Sequence, residues 1–462
     1  MAGFITGVPS SLVELAQSGL LERAFHDGLV PALLYRAEAA WEEWPANTGT
    51  EIFMTRPGLL TPVTKSLAVG QDPVPQIVSY EQWGATLGRF ASTIDTHIPT
   101  SVVSNSDQFL RNIHQLGIQG GMSLNRIPRN ALFQSYLSGQ TVLITATGTT
   151  DKTIRVAALN GFTDVVTKGK NVRPRPVSPS SPLSITIVGA TGPRNVVGYD
   201  PDNPDDPNGP GTLILDAAVG AVCAARSPVV SIAAPTIIRS GGGASVDAIG
   251  SGDTFVLQDC INATGRLRKS NVPPHEDGFY HAHISNDANG QTFTDPALQR
   301  LLTALPDSPY MQNAFLGTIG GIAFFLNNEA PESSNSGPMT LTGTNATYSE
   351  DMGAETINES GVGIGRVIVT GRGALVERAL DEKAYVTEAG ITGKVGEFQI
   401  VNNGIAIETN GVRLILRAPL NRLQDVVAAT WSISTSFPVP SDVTSGGPQR
   451  FKRSVIIEHA LN

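Results

Sequence analysis

Cysteine, charge and long apolar runs are all scarce in this chain. Only two of its 462 residues are cysteine, Cys223 and Cys260, too few for a disulfide framework or an all-cysteine zinc site. Both stand in apolar or helical surroundings and read as small buried hydrophobes of a reducing compartment. Charged residues make up 16%, against roughly 25% in an average soluble protein. The basic ones come as short groups, Arg266, Arg268 and Lys269, then Arg450, Lys452 and Arg453. Neutralising a phosphate backbone needs a basic stripe, and a net charge of −9 argues against one. No stretch approaches ~18 consecutive apolar residues, and no basic segment leads into an apolar one at the start. Neither a membrane span nor a secretory signal is expected, which leaves the triplets at Asn262, Asn345 and Asn358 as chance matches to the glycosylation pattern.

What the chain does have is apolar surface and turns. Hydrophobic residues reach 40%, enough for sizeable cores, and the length suggests about three folding units at ~150 residues each. The 48 glycines and 31 prolines are about one residue in six, above the roughly 12% average. Low charge with many turns suits extended structure and large contact surfaces, as in an assembly subunit.

Along the chain, Leu12, Leu15, Ala16, Leu20, Ala24 and Phe25 recur at helical spacing, continued by Leu29, Leu33, Leu34 and Ala37. Gly19, Gly28 and Pro31 cut residues 10–44 into short amphipathic pieces, which need another surface to lie on. Thr50–Met54 and Val63–Val69 are strand-like, with Pro57, Gly58 and Pro62 between them, and predict a projecting two-stranded loop. Residues 80–140 are expected to be mostly helical, with breaks near Pro99 and Gly117–Gly121 and helices over Asp107–Leu116 and Pro128–Leu137. From 141 to about 255 short apolar runs alternate with turns, a β pattern. A helix at Phe255–Lys269, a strand at Gly278–Ile284, a helix at Asp295–Ala304 and a β-run at Gly321–Asn327 follow. A polar stretch covers 331–362, and strands return at 364–370 and over 394–437. No fixed-period repeat is present.

This order of parts, with three local motifs, resembles the Hong Kong 97-like major capsid proteins of tailed bacteriophages. The motifs are His275-Glu-Asp-Gly-Phe-Tyr-His-Ala-His-Ile-Ser285, Arg366-Val-Ile-Val-Thr-Gly-Arg-Gly-Ala-Leu375, and Arg413-Leu-Ile-Leu-Arg-Ala-Pro419 with Asp425-Val-Val427 and Trp431. The resemblance spans about residues 50 to 440. It implies an α+β capsid fold with an inserted β-rich domain: an N-terminal arm at 1–45, a projecting E-loop at 46–79, and a P-domain with its spine helix at 80–140. The insertion would occupy 141–255, an A-domain with connecting strands 256–390, and strands returning to the P-domain 391–462. It further implies a non-enzymatic subunit of hexamers and pentamers in an icosahedral shell, located in the virion and, during assembly, in the host cytoplasm. Portal, scaffolding or decoration proteins would be partners, packaged DNA would be held only non-specifically, and no cofactor or membrane is implied. Trp41, Trp44, Phe53 and Lys65 would then face neighbouring subunits. In a few capsids of this fold an E-loop lysine bonds covalently to a neighbour's asparagine, which makes Lys65 the candidate for that role, its alternative being an exposed lysine that makes ordinary ion pairs. The 331–362 stretch has no counterpart in the resemblance.

The rival readings are another β-rich virion protein, of tail or decoration type, and a metal-dependent hydrolase. The second rests on His281 and His283, which share one face of a strand and, with Glu276, have the chemistry of zinc ligands. Its bland counterpart is two imidazoles on one solvated or interfacial face. Asp200, Asp202, Asp205 and Asp206 carry calcium-type oxygens but lack the order of an EF-hand and read as a solvated loop. Gly361–Gly365 and Gly169-Lys170 lack the spacing of phosphate loops and read as turns. No nucleophile elbow occurs.

Overall fold

The computed structural model describes residues 19–30, 33–45, 48–97, 108–166, 173–303, 317–331, 339–342, 344–349, 351, 356–358, 360–380, 392–395, 398–401, 404–409, 411–417, 423, 425–445 and 447–461. The expected helical start at Leu12–Ala16 and the Gly169-Lys170 turn lie outside them. The chain divides into two compact units: Met1–Ile52 with Gly84–Pro128 and Leu375–Pro438, and Phe53–Trp83 with Arg129–Ala374 and Val439–Asn462. The longest helices among the described residues are α1 (Leu20–Leu29), α2 (Gln108–Tyr136) and α3 (Leu257–Lys269).

The first unit is a β-sheet with helices on it. Its strands run in the order Ala39–Glu43, Leu375–Ala379, Val426–Ser436, Val412–Arg417, Gly404–Thr409, Phe398–Val401 and Thr392–Val395, and Gly88–His97 pairs with Val426–Ser436. That last pairing holds from Val426–His97 to Thr435–Gly88. Helical structure was expected for 80–97, but both Tyr80–Thr86 and Gly88–His97 are strands. A period of two explains the first, because Glu81, Trp83 and Ala85 are buried while Tyr80, Gly84 and Thr86 are exposed. A buried acid at Glu81 hid that alternation. Residues 39–43, expected to extend the N-terminal helical pattern, pair in parallel with Leu375–Ala379.

Helix α2 is unbroken through Gly117–Gly121, where an interruption was expected. At 29 residues it is about 43 Å long at ~1.5 Å per residue. Its glycines are close-approach points. A side chain on Gly117 would come to 2.5 Å from the Phe25 carbonyl oxygen, and one on Gly28 to 2.6 Å from the His114 carbonyl oxygen. Gly120 faces the Trp431 indole, whose N–H donates to Gln119 Oε1 at 2.9 Å. Helix α1 therefore lies on α2 with almost no side-chain layer between the backbones. It inserts Leu21, Phe25 and Leu29, all fully buried, into a core with Ile113, Leu124, Leu414 and Trp431. The surface that residues 20–29 of the amphipathic 10–44 segment lie on is thus the chain's own core, not a neighbouring subunit. A bidentate Arg36–Glu377 pair, with contacts of 2.7 to 3.0 Å, fixes the segment that follows.

The second unit contains two large sheets among its described residues. Residues 140–231 form six antiparallel strands in the order 140–142, 228–231, 183–187, 194–201, 211–215 and 153–156. A Leu143–Val156 bridge joins the first to the last and closes a barrel. Closure removes free edges, and alternate residues such as Leu183, Ile185 and Ile187 point into its core. The second sheet orders Ile237–Arg239, Ser454–Ala460, Gly363–Thr370, Tyr280–Ile284, Ile322–Leu326 and Thr318–Ile319, with α3 packed over it.

A buried ion triad crosses three adjacent strands at one side of this second sheet. Glu458 is paired in register with Arg239 on one neighbouring strand and Arg366 on the other. Its two carboxylate oxygens accept from Arg239 Nε at 2.9 Å and from Arg366 Nε at 3.0 Å. Burial opposes the charge on Glu458, but the two guanidinium groups outweigh it and hold the carboxyl below its ordinary value.

Two predictions follow from these contacts. Gly117→Ala should lower stability by about 1–3 kcal/mol through overpacking against Phe25. Gly265→Ala in α3, where an added methyl meets nothing within 4 Å, should be neutral or add up to ~1 kcal/mol; urea unfolding midpoints distinguish the two. Glu458→Gln should cost about 3–5 kcal/mol by leaving buried guanidinium charge uncompensated. Because the folded pKa of Glu458 is depressed, its contribution is full above the unfolded value and is lost as pH falls through the folded one. Wild-type melting temperatures should therefore drop more steeply on acidification below about pH 4.5 than those of the variant.

Candidate functional site

The strands Glu51–Pro57 and Tyr80–Thr86 pair with each other and carry a long excursion between them. Val63–Val69 was expected to be the second strand of the projection, but it forms none, and the partner is Tyr80–Thr86. Pro62, Pro73 and Pro75 lack the N–H that a ladder requires and interrupt the stretch between the two arms. The arms are instead tied at single points. Gly58 N–H donates to the Ser79 carbonyl at 2.7 Å, Thr61 and Gln76 exchange two hydrogen bonds of 3.1 and 3.0 Å, and Gln71 N–H closes the tip on Ala68 at 3.1 Å. Every residue from 59 to 77 is exposed, including Leu59, Leu60, Val63, Leu67, Val69, Val74 and Ile77. Exposed apolar surface of this extent marks an interaction site.

The root of this loop is rigidly held. A Cβ on Gly58 would lie 2.8 Å from both Ser79 and Thr444. Arg56 Nη1 and Arg453 Nε share Asp442 Oδ1 at 2.9 and 3.0 Å, and the Arg56 guanidinium sits 5.3 Å over the Trp83 ring. Glu81, 1% exposed, accepts the Thr444 N–H. Burial pushes the Glu81 carboxyl above its usual range, against the lowering effect of that hydrogen bond. The loop is thus an apolar projection on a fixed base. None of the residues that hold the base was singled out for that role from sequence, because Arg56 and Glu81 lie more than 360 residues from the Asp442–Thr444 segment that they meet.

The residues expected to face neighbours are placed unequally. Trp41 is 64% exposed. Phe53 is exposed with the Arg173 guanidinium 4.1 Å over its ring, and Lys65 stands in the middle of the exposed loop. Trp44 turns inward instead, with its indole N–H on the Gly49 carbonyl at 3.2 Å.

The histidine strand places His281 and His283 in different surroundings. His281 Nε2 meets Asp277 Oδ2 at 2.9 Å, and its ring stacks on His275 at 3.9 Å. His283 is buried beside Asn327, 3.5 Å from its side-chain nitrogen. The Phe325 ring lies against both, 4.9 Å from His281 and 5.8 Å from His283. Among the described residues His283 joins no group of three metal-ligating side chains within ligand distance of one another. Burial works to raise the Asp277 carboxyl, but the Phe279 N–H and His281 outweigh it and hold it low. Glu276 points to Arg372 at 3.0 Å rather than to the imidazoles.

The remaining motifs have local roles. Asp200 sits in a barrel strand, Asp202 pairs with Arg155 at 2.8 Å, and Asp205 and Asp206 lie in the loop that follows. Gly361 is a turn residue and Gly363–Gly365 opens a strand. Cys223 and Cys260 are both buried and free, and burial pushes the Cys260 thiol up.

No family model matches the chain, and no curated protein matches it. Among solved structures, the chain is similar to the capsid of the cyanophage P-SCSP1u, 10% identical over 93% of this chain and 89% of that chain, with a TM-score of 0.47. It is likewise similar to the acid-stable capsid of the Helicobacter pylori bacteriophage KHP30, 7% identical over 93% and 91%, TM-score 0.47. A third is the capsid of Ralstonia phage GP4, 11% identical over 92% and 87%, TM-score 0.44.

Proposed function

We propose that the chain is a major capsid protein of Hong Kong 97-like type, which assembles with copies of itself into the icosahedral head around phage double-stranded DNA. The observation that carries this is the 59–77 projection: apolar, exposed along its whole length and held at a fixed base. A free monomer gains nothing from such a loop, whereas in a shell each copy buries it on a neighbour, and association then supplies stability. Trp41, Phe53 and Lys65 are exposed as such contacts require, and the acidic net charge of −9 suits a container whose contents must stay mobile.

In this reading residues 46–79 are the E-loop, 80–140 with α2 the P-domain and spine, 141–255 the insertion, and 256–390 the A-domain with its connections. Residues 391–462 return to the P-domain. The closed barrel lies away from the shell lattice, because a barrel without open edges offers no strand for pairing with a neighbour. The virion is the site of action. Portal, scaffolding or decoration proteins are further partners, and DNA is contacted without sequence preference. The subunit performs no catalysis, and Lys65 makes no covalent link.

Replacing residues 60–76 with a short Gly/Ser turn tests the reading. The expected chain is folded, with an unchanged far-UV circular dichroism spectrum, but gives at least tenfold fewer closed particles by electron microscopy. Wild-type yields of closed particles from the shortened chain would count against it. Lys65→Ala is expected to assemble normally, and denatured particles of both wild type and variant should run as monomers on a gel.

A further inference from the structure

Lys168, Lys170, Arg173 and Arg175 follow one another with no acid between them, in a chain of net charge −9. The described part of this run belongs to a hairpin in which Asp164–Val165 pairs with Arg175–Pro176. The hairpin leaves the barrel between its strands 153–156 and 183–187, and Val165 and Val177 anchor it in the barrel core. Arg173 reaches from it to the root of the projecting loop. There its Nε donates to Gln82 Oε1 at 3.1 Å, and its guanidinium lies 4.1 Å over the Phe53 ring. Phe53 and Gln82 occupy the outward face of the strand pair, since their chain neighbours Met54, Glu81 and Trp83 are buried.

Two guanidinium edges are left open. Arg173 and Arg175 are both exposed, and among the described residues neither forms an ion pair. Phe53, Tyr80 and Pro176 add exposed apolar surface on the same two elements. The loop carries the complement. Residues 59–77 hold two charges, Lys65 and Asp72, on an otherwise uncharged and largely apolar stretch. Asp72 is exposed and has no ion-pair or hydrogen-bond partner among the described residues. It follows directly on the tip, where Gln71 closes on Ala68. The arm from Asp72 back to Ser79 can span about 24 Å at ~3.3–3.6 Å per residue. The acid stands at the tip and the arginines at the root, so the two meet between copies rather than within one. A contact of one end with the other is heterologous, the kind that builds closed rings. A planar guanidinium fork matches a carboxylate.

We propose, on the basis of the capsid reading, that the tip of the projecting loop docks at the root of a neighbouring copy's loop. Its Asp72 carboxylate is received by the guanidinium edges of Arg173 and Arg175, and its apolar side chains lie against Phe53, Tyr80 and Pro176. The contact uses the excursion from the barrel, not the barrel's own strands.

The test is a charge exchange in the full-length chain, read as closed particles by electron microscopy. Arg175→Glu and Asp72→Arg are each expected to give at least tenfold fewer particles, because each sets like charges together at a contact that every subunit repeats. The double variant is expected to regain at least half the wild-type yield. Both positions are exposed, so circular dichroism should be unchanged throughout. If Arg175→Glu does not fold, Arg173→Glu carries the same exchange. Wild-type yields from either single variant overturn the proposal, as does a double variant no better than the singles. Arg175→Glu particles that close normally but retain less DNA would assign the surface to nucleic acid and overturn it too. None of these results touches the capsid reading, which the chain shortened at 60–76 tests separately.

Discussion

One carboxylate, on the last strand, joins segments that are remote in sequence. Arg239 and Arg366 lie 219 and 92 residues from Glu458, yet all three occupy one rung across three adjacent strands. An acid buried there without its arginines would be neutral or would not be buried at all. The pairing therefore has to be complete before this sheet is stable. Such arrangements contribute modest net stability against a well-packed apolar alternative. Their clearer effect is on register: a slip by one residue would send Glu458 to the opposite face of the sheet.

Much of the fold was legible where apolar content and turn residues agree. The helix at 257–269 and the strands at 280–284, 322–326 and 363–370 fall within a few residues of their expected positions, since each is a short apolar or amphipathic run closed by Gly, Pro or Asn. The failures share a cause, which is that long-range contact overrode local pattern. Gly117 and Gly120 read as helix breakers, but tertiary contact with Phe25 and Trp431 makes small residues necessary inside an unbroken helix. Val63–Val69 alternates like a strand, but Glu51–Pro57 is already matched to Tyr80–Thr86. Buried Glu81 obscured the latter strand, because a charged residue at an inward position spoils the period that reveals it.

The candidate site divides in the same way. The projecting loop was recognisable from Pro57, Gly58, Pro62, Pro73 and Pro75, which punctuate an otherwise apolar stretch. What holds it upright was not, because Arg56, Asp442 and Arg453 are far apart in sequence and each alone reads as a surface charge. The histidines illustrate the converse. His281 and His283 share a strand face as their spacing demands, but Phe325 from the neighbouring strand lies against both rings, and no property of residues 275–285 announces it.

The barrel's ends carry a different kind of consequence. The chain enters at Gly139 and leaves at Ser231, and the Ser231 N–H donates to the Gly139 carbonyl at 2.8 Å. A segment of this length whose two ends meet across one hydrogen bond behaves topologically like a single loop. Lineages can therefore acquire, exchange or discard such a module without rerouting the chain around it. For the same reason foreign peptide grafted onto its outer turn at residues 202–210 would be borne by a body that closes on itself, apart from the sheets that hold the rest of the molecule together.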